Sequence, residues 1–173
     1  MKNIALLKPN KLLFESYKEL VLEFQNNQEK LVPFVLAYPL ENIDLLLRKF
    51  ENDSTGVDSN GFVPHTTFWL VDSNSKVLGV SNLRHSLTKD LVKEGGHIGY
   101  GIRPSCRNGG LGTRILELSL SEARKLELSS VLLTCNKNNM GSAAIIIKNG
   151  GVFESEEYLE SYGGVVQRYW IAI

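Results

Sequence analysis

The 173-residue chain has two cysteines, two methionines and no excess charge of either sign, its nineteen Lys and Arg matching nineteen Asp and Glu. Each scarcity excludes something. Cys106 and Cys135 fit no zinc spacing, so reduced thiols in a cytoplasm are expected, with no metal site. The balanced charge argues against a surface that coats nucleic acid. No apolar run reaches the length that crosses a bilayer. The apolar start of the chain turns polar at Lys8-Pro9-Asn10, too soon for a secretory signal. No repeat, low-complexity stretch or linker divides the chain, so residues 1–173 are read as one domain, large enough to bury a core.

What is present is a glycine-rich stretch, Arg103-Pro104-Ser105-Cys106-Arg107-Asn108-Gly109-Gly110-Leu111-Gly112-Thr113. It follows a strand-like run, His97 to Ile102, and opens an apolar helical run at Leu111. A helix N-terminus leaves backbone N–H groups unpaired, and the helix dipole adds positive potential there. Together they make an anion site that glycines let a phosphate approach closely. No Lys-Ser/Thr pair follows, which disfavours a Walker-type loop. The dinucleotide fingerprint G-x-G-x-x-G does not fit either.

The remaining chain reads as alternating elements. Ile4 to Leu7 is a short strand, and Lys11 to Gln25 is a helix carrying Leu13, Tyr17, Leu20, Val21 and Phe24 at steps of three and four. Asn42 to Phe50 is a second helix with Asn42 as its cap, and Glu51 to Gly61 is a loop. Phe62 to Val71 and Val77 to Leu83 form a hairpin, followed by the strand His97 to Ile102 and a helix from Leu111 to Leu126. Val131 to Cys135 has the continuous apolarity of a buried strand, and the helix Gly141 to Lys148 ends at Asn149-Gly150-Gly151. Val152 to Tyr158 and Val165 to Ile173 close the chain; the last is apolar enough to complete the sheet or to pair across a homodimer.

Arg107-x-x-Gly110-x-Gly112 resembles motif A of the GNAT superfamily of acyl-CoA N-acyltransferases, Gln/Arg-x-x-Gly-x-Gly/Ala. A second motif agrees with it. After the fifth strand such enzymes carry Asn, a small residue three positions on, and Lys-x-Gly at the helix end; here these are Asn139, Ser142 and Lys148-Asn149-Gly150. Leu83-Arg84-His85 and Gly95 to Tyr100 look like a bacterial subgroup of predicted acetyltransferases. The resemblance implies an α/β (α+β) GNAT fold: a mixed, mostly antiparallel sheet of about seven strands, helices on both faces, and a splay between strands 4 and 5. It implies acetyl-CoA as co-substrate. Ile102 and Arg103 would then meet the pantetheine arm, Arg107, Asn108, Gly109, Gly110, Leu111, Gly112 and Thr113 the pyrophosphate, and Asn139 and Ser142 the arm from its other side. Asn139 and Ser142 are equally suited to capping a helix.

The implied reaction is direct attack of a primary amine, on a small molecule or a peptide, on the thioester. It needs a base for the amine and an acid for the leaving thiolate. The family's usual acid, a tyrosine in the helix after the fifth strand, falls on Ile146, and its usual carboxylate base on the fourth strand is missing. His97 is the replacement base by its ordinary pKa of about 6.5, and Tyr100 would line the acyl site. His85 and Glu94 are lesser candidates. The acceptor site is expected along His85 to Gly96 and Glu51 to Val63, where Asp53, Asp58, Asp90 and Glu94 would favour a cationic amine. Two other readings stand beside this one: a non-catalytic acyl-CoA-binding or regulatory module on the same fold, and a nucleotide-binding protein of another fold.

Overall fold

The computed structural model describes residues 4–57 and 61–173; the readings that touch Met1 to Asn3 and Asp58 to Asn60 lie outside these. Two antiparallel sheets carry the chain. The first has the order β1 (Ala5–Leu7), β2 (His65–Val71), β3 (Val77–Arg84), β4 (Ile98–Ile102), and the second the order β5 (Ser130–Asn136), β7 (Gly164–Ala172), β6 (Val152–Leu159). Five helices join them: α1 (Phe14–Asn26), α2 (Ile43–Thr55), α3 (Lys89–Lys93), α4 (Leu111–Lys125) and α5 (Met140–Lys148). The seven expected strands are thus present, but divided between two sheets, and every ladder is antiparallel.

Strands β2 and β3 are buried on both faces, the polar His65, Thr67, Ser81 and Asn82 among their apolar residues included. Trp69, Val71, Val77 and Val80 pack with Tyr17, Leu20 and Phe24 of α1 and Leu46 and Phe50 of α2. Tyr17 stacks on Trp69 with ring centroids 4.4 Å apart. Phe68 and Leu83 pack instead with Leu116, Leu120 and Ala123 of α4, and with Val131 and Leu133 of β5. Helices therefore cover both faces of the first sheet.

The two sheets meet at one clamp. The N–H of His97 donates to the Leu132 carbonyl at 2.7 Å, and the Leu132 N–H donates back to His97 Nδ1 at 2.9 Å. Beyond it no ladder joins β4 to β5 among the described residues, so the outer edge of β4 has no strand partner there. One side of β4 is also stripped of side chains. A Cβ at Gly101 would collide with the Val32 carbonyl, and one at Gly99 would sit 3.3 Å from Pro33 Cβ. The segment after α1 crosses the strand there, and glycine permits that approach.

Three expectations are corrected. Helix α2 runs to Thr55, five residues past Phe50, because the position that continues its buried face is Asp53, a residue no apolar pattern would include. Tyr38 and Lys49 donate to the Asp53 carboxylate, and His65 Nε2 lies 3.9 Å away. The segment after His85 is not all loop: Thr88 caps α3 by accepting from the Leu91 N–H. Finally, β7 lies between β5 and β6, so both its edges are occupied and it has none left for a dimer.

Candidate active site

Helix α4 begins without the cap its neighbours have. Asn42, Thr88 and Asn139 accept from N–H groups in the first turns of α2, α3 and α5. The cap of α4 is Gly110, at φ +76°, with no side-chain bond to the helix and no acid in the first turn. Its leading N–H groups therefore lack a side-chain acceptor, the condition under which a helix start binds an anion.

The three glycines of this turn do different things. Gly110 supplies a left-handed backbone and has open space where a Cβ would stand. Gly112 is buried, and a Cβ there would lie 2.5 Å from Ile145 Cδ1, so it sets the approach of α5 to α4. At Gly109 a Cβ would meet only the Cys106 carbonyl, at 4.0 Å, so this position has no steric need for glycine.

The uncapped turn opens on a cleft of about 670 Å³ between the ends of β4 and α5. Of the expected residues, Tyr100, Ile102, Arg107, Asn108, Gly110 to Thr113, Asn139 and Ser142 line it. Asn139 Oδ1 caps α5 by accepting from the Ser142 N–H at 3.0 Å. Ser142 Oγ shares a hydrogen bond with the Tyr100 hydroxyl at 3.2 Å. Burial pushes that phenol up to about 12. Ser142 and Ile146 are four residues apart and share one face of α5. Ile146 is fully buried, and Tyr100, reaching across from β4, presents its hydroxyl at that same face.

Arg107 is not idle. Its Nε donates to the Ile102 carbonyl at 3.1 Å, and Nη1 and Nη2 form a bidentate pair with Glu29 at 3.0 and 2.6 Å. The guanidinium also lies over the Phe24 ring, 5.3 Å from its centroid, and holds the Glu29 carboxyl below the usual range.

Gly109 is not in the lining, and two further expected residues stand elsewhere. The Arg103 side chain is buried against α1, with Nε on Glu23 at 2.5 Å and Nη2 on Glu19 at 3.0 Å, while its N–H is taken by the Leu78 carbonyl. His97 is only 7% exposed, and its Nδ1 is occupied by the Leu132 N–H. Burial, reinforced by the nearby Arg84 charge, lowers its pKa to about 4. Neither residue lines the cleft. Of the lesser candidates, His85 bonds Thr66 Oγ1 through Nε2 at 2.8 Å, and Glu94 lies within 3.5 Å of Ser161.

Sequence reasoning missed the wall supplied by α1 and the segment after it: Phe24, Glu29, Lys30 and Val32. The signal for it was Gly99-x-Gly101 inside a strand, which marks a close backbone crossing without naming the segment that crosses. Among the described residues no group of three or more His, Cys, Asp or Glu could hold a metal ion, and no helix is long and apolar enough to cross a membrane.

Comparison with known proteins agrees with this geometry. The acetyltransferase (GNAT) domain family matches residues 14–152. No curated protein matches the chain. Among solved structures, Mycobacterium smegmatis RimJ in complex with a coenzyme A disulfide superposes with a TM-score of 0.73 at 15% identity, covering 99% of this chain and 82% of that one. RimL, a ribosomal L7/L12 alpha-N-protein acetyltransferase in complex with coenzyme A, gives 0.69 at 16% identity, over 100% and 96% of the two chains. A spermidine N-acetyltransferase from Vibrio cholerae gives 0.64 at 14%, over 98% and 93%. These likenesses share the fold, and with the family match they set aside a nucleotide-binding protein of another architecture. The cleft between β4 and α5, its uncapped helix and the match over four-fifths of the length lead to one assignment: the chain belongs to the GNAT acetyltransferase family.

Proposed function

We propose that the protein transfers the acetyl group of acetyl-CoA to a primary amine, and that the cleft beside Tyr100 is where it does so. The observation that carries this is the uncapped start of α4 opening on a cleft whose other wall is the unpaired edge of β4. The amides of Asn108 to Thr113 would receive the pyrophosphate, with Gly109 part of the turn that presents them. Arg107 would join them by exchanging Glu29 for a phosphate oxygen, since the pair is partly exposed and such pairs are weak, about 0–1 kcal/mol. The pantetheine arm would run along the edge of Tyr100 to Ile102 that no strand pairs, faced by Asn139 and Ser142. Acetyl-CoA supplies the activated thioester.

Tyr100 is the proposed catalytic hydroxyl, as a hydrogen-bond donor and not as a full acid. Moving a proton from a phenol near 12 to a thiolate whose acid is near 8.5 is uphill by roughly 5 kcal/mol. Donation to the developing thiolate stabilises it without that transfer. His97, with Nδ1 bonded and its pKa depressed, is a positioning residue that fixes the head of the splay. No side chain with a pKa near neutrality lines the cleft, so the acceptor arrives as the neutral amine, deprotonated by solvent.

The two free thiols support action in the cytoplasm. If a second copy adds to the second sheet, it does so at β6, whose outer edge is open. Thiol release from acetyl-CoA over a broad amine panel tests the proposal. Turnover with at least one amine is expected; binding of coenzyme A without turnover on any would replace it with the non-catalytic module.

A further inference from the structure

Arg84, at the end of β3, is a half-buried cation without a counter-charge. Its Nη1 donates to the carbonyls of Gly95 and Gly96 at 3.1 and 2.9 Å, and its guanidinium lies over the Phe34 ring, 5.6 Å from the centroid. Among the described residues no carboxylate pairs with it, and its Nε and Nη2 have no hydrogen-bond partner. The other arginines drawn into the fold are each compensated: Arg103 by Glu19 and Glu23, Arg107 by Glu29, and Arg168 by Glu157. The ionisable groups that feel Arg84 are His65 and His97, and its charge helps keep both neutral. Its two spare donors are not sealed from solvent, and a guanidinium held in place on one side offers with the other a fork shaped for a carboxylate.

Arg84 does not itself line the cleft, but the chain that walls the cleft leads to it. The segment after α1 passes over β4 in steps: the Val32 carbonyl above Gly101, Pro33 above Gly99, then Phe34 against Arg84. Val32 and Gly101 line the cleft, and the Arg84 N–H bonds the His97 carbonyl at 2.8 Å, at the head of the splay. Phe34 stacks with the exposed Phe62 at 5.8 Å, giving the place an aromatic wall. A group entering past the acetyl end of the cleft would meet this guanidinium next.

We infer that Arg84 reads a carboxylate on the acceptor, so that the acceptor class is an amine carrying a carboxylate a few bonds away and not a plain polyamine. This rests on the acetyl-transfer reading of the cleft. Pairs of amines that differ only in the carboxylate test it: L-phenylalanine against 2-phenylethylamine, and L-alanine against ethylamine, with spermidine as the polyamine. The wild type should favour the carboxylate-bearing member of each pair by about tenfold or more in kcat/KM, and the ratio should collapse toward one in Arg84→Gln. Arg84→Lys, which keeps the charge but not the fork, should fall between. Equal rates within pairs, a preference for spermidine, or an equal loss for both members in Arg84→Gln would overturn it.

If no amine turns over, the acetyl-transfer reading fails but the inference can still be decided. Calorimetric titration of the coenzyme A-loaded protein with L-phenylalanine and 2-phenylethylamine then reads the same preference. Tighter binding of the carboxylate-bearing member, lost in Arg84→Gln, supports it, and no difference between the two overturns it. Should Arg84→Gln fail to fold for want of a donor to Gly95 and Gly96, the wild-type ratio together with Arg84→Lys decides the question.

Discussion

Replacing Gly110 by glutamate and, separately, by alanine separates charge from backbone strain at the proposed pyrophosphate site. Both variants force a Cβ into the left-handed conformation at φ +76°, which costs roughly 1–2 kcal/mol of stability. Neither meets a neighbouring atom, since the space around a Gly110 Cβ is open. The variants therefore share their strain and differ in the carboxymethyl group that carries one negative charge. At a separation of about 5 Å, each charge pair repels by about 0.8 kcal/mol in bulk water and about 3 kcal/mol at the effective dielectric of a protein surface. Two pyrophosphate charges bring this to about 1.7–6.6 kcal/mol, or at least a fifteenfold loss of affinity. Isothermal titration of both variants with coenzyme A measures the difference directly, with thermal melts showing that the two are equally folded. An affinity for Gly110→Glu within threefold of that for Gly110→Ala would place the pyrophosphate elsewhere. Gly112→Glu would not serve, because its Cβ is directed at Ile145 and the change would disturb the packing of α5.

Further outcomes follow from the same structure. Tyr100→Phe should lower kcat by about ten- to a hundredfold while leaving the KM for acetyl-CoA within a few-fold, as steady-state kinetics with both substrates varied would show. The rate should climb with pH toward the pKa of the acceptor amine, with no inflection between about pH 5 and 8; an inflection near 6.5 would return the role of base to a histidine. Because His97 titrates at about 4 in the fold and about 6.5 when unfolded, the unfolded chain binds the extra proton between those values. Its contribution of about 3 kcal/mol is thus full above pH 6.5 and lost progressively as the pH falls to 4, which urea melts from pH 4 to 7 would show, with a flattened dependence in His97→Gln. Glu29→Gln should release Arg107 and raise the affinity for coenzyme A by roughly two- to fivefold, and an unchanged affinity would mean that the pair does not compete with the ligand.

Much of the layout was legible because burial in this chain follows apolar patterning. The seven strands and the helix after the glycine turn come from runs such as Val131 to Cys135, buried but for Thr134, and from the spacing of the buried Ile115, Leu116, Leu120 and Ala123. The glycine turn was legible as an anion site because its chemistry is local: a strand end, a left-handed glycine and an uncapped helix are consecutive in sequence. What was not legible depends on contacts between distant segments. Asp53 is buried because Tyr38, Lys49 and His65 surround it, and no periodicity announces such a set. Nothing in the residues around His97 shows that its Nδ1 would be spent on Leu132, thirty-five positions away. Likewise Glu29 reaches Arg107 across seventy-eight positions, so the strand that feeds the site was readable and the wall that closes it was not.

In the proposed complex coenzyme A lies between β4 and α5 with its pyrophosphate on the start of α4. Amide chemical-shift mapping of the isotope-labelled protein titrated with coenzyme A tests this most directly. The largest shifts should fall on Asn108 to Thr113, with a second group on Tyr100 to Ile102 and Asn139 to Ser142. Saturable shifts centred instead on the small pocket beside Lys8, Leu47 and Thr66, or no shifts at millimolar coenzyme A, would contradict it.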